Sequence, residues 1–243
     1  MAILLGLDLE TTGLDPATSD IIEVGAVLWD TDTQQPIQMT SWLIETEGLI
    51  PDEITSLTGI TNGLIDIEAL PELEAAINLL EEMVVKADYL VAHNAEFEKS
   101  FLKSFPEYIS KYPELSNTKW IDTRTDLPYK GSKGKGSLSE IAMNHGIFNP
   151  MPHRALPDTL AMMQVLAQYD FSEVEIYANA PTRNLVIRFP YDATGEKNKV
   201  VKSLGYYWNP DGKYWHKPVK EFFVDEELGN AHAHGFVPDV LAA

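Results

Sequence analysis

Two runs of strand length open the chain. Residues 3–9 and 21–29 are almost continuously apolar, too dense for a half-exposed helix, and read as strands over 3–11 and 20–30 that are largely buried. Residues 36–45 alternate loosely and predict a third strand, with turn-rich stretches at 13–19 and 30–36 implying an antiparallel meander. Ile50-Pro51-Asp52-Glu53-Ile54 reads as a short helical turn with proline near its start. Residues 57–61 form a turn, in which Thr61 or Asn62 can cap the next one. The pattern then changes period. Apolar residues at 73, 76, 77, 80, 83 and 84 mark an amphipathic helix within 70–86. A buried strand follows at 89–92, a helix from 93–95 to about 105, and a fifth strand at 120–123. A Lys/Gly/Ser loop at 128–137 leads into a helix over 137–145, and a last helix spans 157–169. Three meander strands, then helix, strand, helix, strand, helix, predict one α/β domain over 1–172 with a mixed five-stranded sheet flanked by helices.

Past residue 175 the composition shifts. A strand at 184–189, a short helix at 197–204, a hairpin at 205–216 turning on Asp211-Gly212, and a helix within 220–234 make a small α+β module over 180–243. About 60 residues is little from which to build an independent core. Tyr206, Trp208, Tyr214 and Trp215, with Lys202, Lys213 and Lys217, have the chemistry to stack bases and touch phosphates; the other reading is that these rings pack the module.

Composition bounds the chemistry. The 243 residues are 44% hydrophobic and 23% charged, an ordinary globular balance, with no apolar run long enough for a transmembrane helix. The first apolar stretch has no basic residues before it and already carries Asp8 and Glu10, so it reads as a strand and not a signal peptide. Zero cysteines exclude disulfides and thiolate metal sites and fit a cytoplasmic protein. The net charge of −19 runs against binding any polyanion by simple charge neutralisation. Metals and a local basic lining would have to do that work, and Lys130, Lys133 and Lys135 form the one basic cluster near the first domain.

Candidate chemistry begins at the end of the first strand. Asp8 and Glu10 lie two positions apart and therefore point to the same side, along with Leu4 and Gly6. Burying two such acids unpaired would be costly, and a hard divalent cation is the usual remedy; the plain alternative is a solvated strand end. Glu98 falls in the first turns of a helix, His153 in a proline-flanked loop, and Asp158 at the start of the last helix. Separately each has an ordinary explanation, including a carboxylate favoured at a helix N-terminus.

Together they form a pattern. Asp8-Leu9-Glu10-Thr11-Thr12-Gly13, His93-Asn94-Ala95-Glu96-Phe97-Glu98 and His153-Arg154-Ala155-Leu156-Pro157-Asp158 resemble the three motifs of DEDD exonucleases. The histidine five residues before the last aspartate is similar to the DEDDh, or DnaQ-like, branch, which includes exonuclease X and polymerase proofreading exonucleases. Supporting similarity lies in Glu23-Val24-Gly25-Ala26, Leu57-Thr58-Gly59-Ile60-Thr61 and Ile121-Asp122-Thr123. The resemblance covers about residues 1–170. A weaker one, on the Leu-Gly-Tyr-Tyr-Trp…Tyr-Trp pattern, links the last module to the C-terminal module of exonuclease X-like proteins.

The resemblance implies an RNase H-like fold and 3′→5′ phosphodiester hydrolysis with two divalent ions, Mg²⁺ or Mn²⁺, about 4 Å apart. Carried over by position, Asp8, Glu10, Glu98 and Asp158 are the metal ligands, and His153 is the general base. Thr11, Thr12, His93 and Asn94 match contacts to the terminal nucleotide, although His93 and Asn94 serve equally to pin the strand-to-helix turn. The substrate expected is nucleic acid with a 3′ end, single-stranded DNA before RNA, with no membrane partner. One departure stands out: the family's second motif usually ends in aspartate, and this chain has Glu98. The extra methylene moves the carboxylate by roughly 1 Å, an error that can lower a rate about 10²-fold. An active enzyme is the favoured reading. A weakened nucleic-acid-binding module and an acidic protein that addresses a basic protein partner through its surface or its C-terminal module are the alternatives.

Overall fold

The computed structural model describes residues 1–46, 48–65, 70, 72–105, 107–130, 133, 134, 136–189, 192, 194–210 and 212–242. It divides into two compact units, Met1–Val174 and Glu175–Ala243. The first contains β1 (Ile3–Thr11), β2 (Ile21–Asp30), β3 (Gln35–Leu43), α1 (Asp52–Thr58), α2 (Asn62–Ile65), α3 (Leu73–Val84), β4 (Tyr89–Ala92) and α4 (Ala95–Lys103). It continues with α5 (Tyr108–Lys111), α6 (Pro113–Asn117), β5 (Lys119–Asp122), α7 (Leu138–Asn144) and α8 (Ala155–Leu166). α9 (Phe171–Asn179) runs across the division.

The five strands form one sheet in the order β3-β2-β1-β4-β5. The meander pairs antiparallel, whereas β4 joins β1 and β5 joins β4 in parallel, giving the mixed sheet that the element order predicts. β1 and β2 are apolar over most of their length because helices cover both of their faces. Odd positions of β1, Leu5, Leu7 and Leu9, meet Ile77 and Leu80 of α3 and Phe101 and Leu102 of α4 in the main core. Even positions, Gly6, Asp8 and Glu10, lie opposite Val27, Gly25 and Glu23 of β2. The ladder shifts register after Glu10, so that Thr11 pairs with Ile21.

Several boundaries differ from those read in the sequence. α1 extends through Thr58 and stops at Gly59, which takes the left-handed conformation (φ 73°), so the expected turn at 57–61 is half helix. Thr61 caps α2 by accepting the Leu64 N–H at 3.1 Å, while the Asn62 side chain instead accepts the Ile50 N–H at 2.7 Å. α7 starts in a capping box between Ser137 and Glu140. α5 and α6 occupy a stretch with no predicted structure; helices of four and five residues are too short to show a period.

The second unit holds β6 (Thr182–Ile187), α10 (Glu196–Ser203), β7 (Tyr207–Asn209), β8 (Tyr214–Lys220), α11 (Val224–Ala233) and β9 (Asp239–Ala242). Its antiparallel sheet runs β7-β8-β6-β9. The expected hairpin is β7–β8, although Asp211 of its turn lies outside the described residues. β9 was not foreseen: four exposed residues at a sheet edge have no alternation to read. Leu185, Ile187, Trp215 and Val219 face Val201 of α10 and Ala231 of α11 in a core of their own. Among the described residues, no helix is long and apolar enough to cross a membrane.

Candidate active site

The site is built by laying α8 directly on β1 and β2. Gly6 and Gly25 make that approach possible. A Cβ on Gly25 would stand 2.3 Å from the backbone carbon of Ala155, and one on Gly6 would stand 2.8 Å from Met163 Sδ. Glu23 then fixes where α8 begins. Its fully buried carboxylate accepts from Arg154 Nε (3.0 Å) and Nη2 (2.8 Å), from the Ala155 N–H (2.9 Å) and from the Ser41 hydroxyl (3.0 Å). A bidentate guanidinium and a helix N–H on one carboxylate give a charge-assisted, directional anchor.

Asp158 sits in the first turn of the helix so anchored. The sequence places Asp158 at the helix start, on Pro157; α8 begins earlier, at Ala155, because Glu23 captures that N–H. One carboxylate oxygen each from Asp8, Glu10 and Asp158 lie within 4.8 Å of one another, the single such acid or histidine group among the described residues. Asp158 is itself held: Oδ1 accepts from the Asn149 side-chain amide and Oδ2 accepts the His153 N–H at 3.1 Å.

Glu98 comes from the other side of the sheet edge. Asp122, at the end of β5, accepts the N–H groups of Asn94 and Ala95 at 3.0 Å each and so starts α4, whose first turn carries Glu98. Glu98 lies outside the close triad yet is 2% exposed, and its Oε2 has no hydrogen-bond partner among the described residues.

The electrostatics are those of buried acids crowded together with too little counter-charge to offset burial. Burial, then the charges of Glu98, Glu10 and Asp158, raises Asp8 far above the usual carboxylate range. Burial pushes Glu10 up to about 8, helped by Asp158 and Glu23 and opposed by Arg154. Burial also raises Glu98 strongly, and Asp158 more mildly because the His153 N–H and Asn149 hold it down. Four such carboxylates, one with an orphaned buried oxygen, suit hard divalent cations, which take oxygen ligands and restore the ionised forms.

The remaining predicted residues make contacts of their own. His153 is exposed on the loop before α8, with its backbone in the left-handed region (φ 61°). The Thr11 hydroxyl donates to the Gly13 carbonyl at 2.6 Å, and the Thr12 hydroxyl accepts the Asp20 N–H at 2.9 Å, so both shape the turn after β1. Asn94 is exposed and left-handed (φ 83°) at the head of α4. His93 Nδ1 shares a hydrogen bond with the Thr123 hydroxyl at 3.0 Å, and burial, with Arg124 nearby, lowers its pKa to about 4, leaving a neutral ring at physiological pH. Phe97 packs on the core beside Phe101, as expected. Of the basic cluster, Lys130 and Lys133 are exposed and Lys135 lies outside the described residues.

Sequence reasoning assigned no role to Glu23, Arg154, Asn149 or Asp122. Glu23 had a signal: it is the lone charge inside an apolar strand.

Residues 5–166 match the model of the RNase_T exonuclease family. The chain is 31% identical over 174 residues to the PolC-type DNA polymerase III of Thermotoga maritima, a match to 69% of this chain and 12% of that protein. It thus spans about an eighth of those polymerases. It is 31% identical over 163 residues to DNA polymerase III subunit epsilon of Treponema pallidum, covering 65% of this chain and 72% of that one. Among solved structures, exonuclease X in complex with 5′-overhanging duplex DNA superposes with a TM-score of 0.52 at 20% identity, over 74% of this chain and 100% of that one. The sheet order and flanking helices are those of the RNase H-like exonuclease fold.

Proposed function

The chain belongs to the DEDDh (DnaQ-like) exonuclease family, and on that premise we propose that it trims single-stranded DNA from the 3′ end with divalent metal ions. The convergence of Asp8, Glu10 and Asp158 within 4.8 Å, with the unpartnered buried oxygen of Glu98 close by, carries this reading. Asp8, Glu10, Glu98 and Asp158 would hold two ions, which when bound offset the phosphate charge, favour ionised water and stabilise the departing 3′ oxygen. His153, exposed beside Asp158, accepts the proton of the water whose oxygen attacks phosphorus as the bond to the 3′ oxygen breaks. The Asp158 contacts to Asn149 and the His153 N–H keep base and carboxylate in fixed relation. Thr11, Thr12, His93 and Asn94 surround the terminal nucleotide. The solved neighbours divide between duplex DNA and an mRNA stem-loop, so the choice of DNA rests on the DNA polymerase subunits among the relatives.

Digestion of 5′-labelled single-stranded DNA and a matched RNA, each with Mg²⁺ or Mn²⁺, tests this. The expected result is a shortening ladder, faster on DNA, that Asp158→Ala reduces by at least about 10²-fold. A faster ladder on RNA would make the protein an exoribonuclease. A ladder seen only in Glu98→Asp would show that Glu98 misplaces the ions and that the native chain only binds.

A further inference from the structure

The charge of this chain is not spread evenly. Residues 175–243 hold eight of the 18 Lys and Arg but nine of the 37 Asp and Glu, so this unit is within one charge of neutral while residues 1–174 carry −18. Within the second unit three acids pair with bases, Glu221 with Arg183, Asp239 with Arg188 and Glu227 with Lys217. Asp225, Glu226 and Glu227 sit together in the first turn of α11, on the side of the sheet that its two helices cover. The opposite face carries a different set of side chains.

Strand alternation and the pairing register put Tyr207 of β7, His216 and Tyr214 of β8, and Arg188 just beyond β6 on that opposite face. They form a continuous row. The rings of Tyr207 and His216 are 6.2 Å apart, those of Tyr214 and His216 6.1 Å, and the Arg188 guanidinium lies 5.1 Å from the centre of the Tyr214 ring while its Nη1 donates to Asp239 Oδ2 at 3.0 Å, an exposed pair that a phosphate would have to displace or share. Tyr207 is 49% exposed, the Arg188 side chain is 52% exposed, and Lys213 is exposed at the adjoining hairpin turn. Of the four rings that sequence singled out, Tyr206 and Trp215 are instead core, at 3% and 5% exposure, and Trp208 points to the same side as Trp215 and touches its ring while staying 48% exposed. The row, exposed at Tyr207 and Arg188 and half-buried at His216 and Tyr214, is therefore a separate feature from the aromatic core that stabilises the module.

We propose that the Tyr207–His216–Tyr214–Arg188 row, extended by Lys213, is a platform on which single-stranded DNA lies, its bases stacked on the rings and its phosphates met by Arg188 and Lys213. Stacking on aromatic side chains is tolerant of sequence, and two cations beside the rings follow the backbone, which together suit an extended single strand. The platform lies in the unit where a polyanion meets the least repulsion, which answers the objection raised by the −19 total. The choice of strand rests on the nuclease reading above; the platform's own test does not.

Binding of 5′-fluorescein-labelled oligothymidylate to the full-length protein is measured by anisotropy in EDTA, so that no turnover is needed. Tyr207→Ala/Tyr214→Ala should weaken binding by at least about five-fold, and Tyr207→Phe/Tyr214→Phe should keep it. Arg188→Gln/Lys213→Gln should lower the slope of log K against log salt by about 1.4, since each phosphate contact on a single strand contributes roughly 0.7. Unchanged affinity in the alanine variant, with an unchanged thermal melt, overturns the platform. Should the alanine variant fail to fold, an unchanged salt slope in the glutamine variant overturns it. A parent that digests DNA while all variants bind alike loses the platform and keeps the nuclease. A parent that digests nothing while these variants bind more weakly keeps the platform and loses the nuclease.

Discussion

Glu10 shows what crowding acids costs the fold. Its folded pKa of about 8 stands above the ordinary value of 4.5, so the fold favours its protonated form. Between those two values the folded chain still holds a proton that the unfolded chain has released, and stability therefore falls as pH rises across that window. Asp8, Glu98 and Asp158 are raised as well and act with the same sign. In EDTA the melting temperature should drop from pH 5 to pH 8. Saturating Mg²⁺ or Mn²⁺ should remove the drop, and Glu10→Gln should make it shallower without metal; a melt in EDTA that rises with pH over this range would refute the account. At this scale the sequence was partly legible. Asp8 and Glu10 share a face because strands have period two, which two neighbouring letters reveal. Glu23 was not legible as an anchor, because its partner Arg154 lies 131 positions away and only the folded chain brings them together.

Among the elements, α8 decides whether there is a site. It carries Asp158, it touches β1 and β2 through Gly6 and Gly25, and its first N–H is captured by Glu23. Gly25→Ala would push a methyl group to 2.3 Å from the Ala155 backbone, which has no flexible end to swing aside. The helix must shift. The expected outcome is a loss of about 1–3 kcal/mol in stability and, with Asp158 displaced by the order of 1 Å, a fall in hydrolysis of about 10²-fold. Thermal melts and initial rates on single-stranded DNA read the two effects, and near-native values in both would show that the contact is soft. Long periodic elements such as α3 and the β1–β2 pair were legible because their burial is written in the spacing of apolar residues. α5, α6 and β9 were not, since four or five residues draw their structure from neighbours rather than from a pattern of their own.

For the molecule as a whole, three motifs spread over 150 residues are joined by a sheet whose order places the ends of β1, β4 and β5 side by side. The spacing of those motifs made the family legible; the way the chain divides its charge was legible only once the two units were distinct. That division has a second consequence. A body with −18 in its first 174 residues gathers an atmosphere of cations, and a divalent ion, doubly attracted, is enriched in it over a monovalent one. These acids, those of the site included, would concentrate divalent ions around the carboxylate group. The reach of that enrichment is the Debye length, which shrinks from about 30 Å at 10 mM salt to about 8 Å at 150 mM. Apparent Mn²⁺ affinity, followed by calorimetry, should therefore weaken steadily over that range, and an affinity indifferent to salt would mean that the inner carboxylates alone set it. Metal enrichment of this kind would follow from the excess of acid alone.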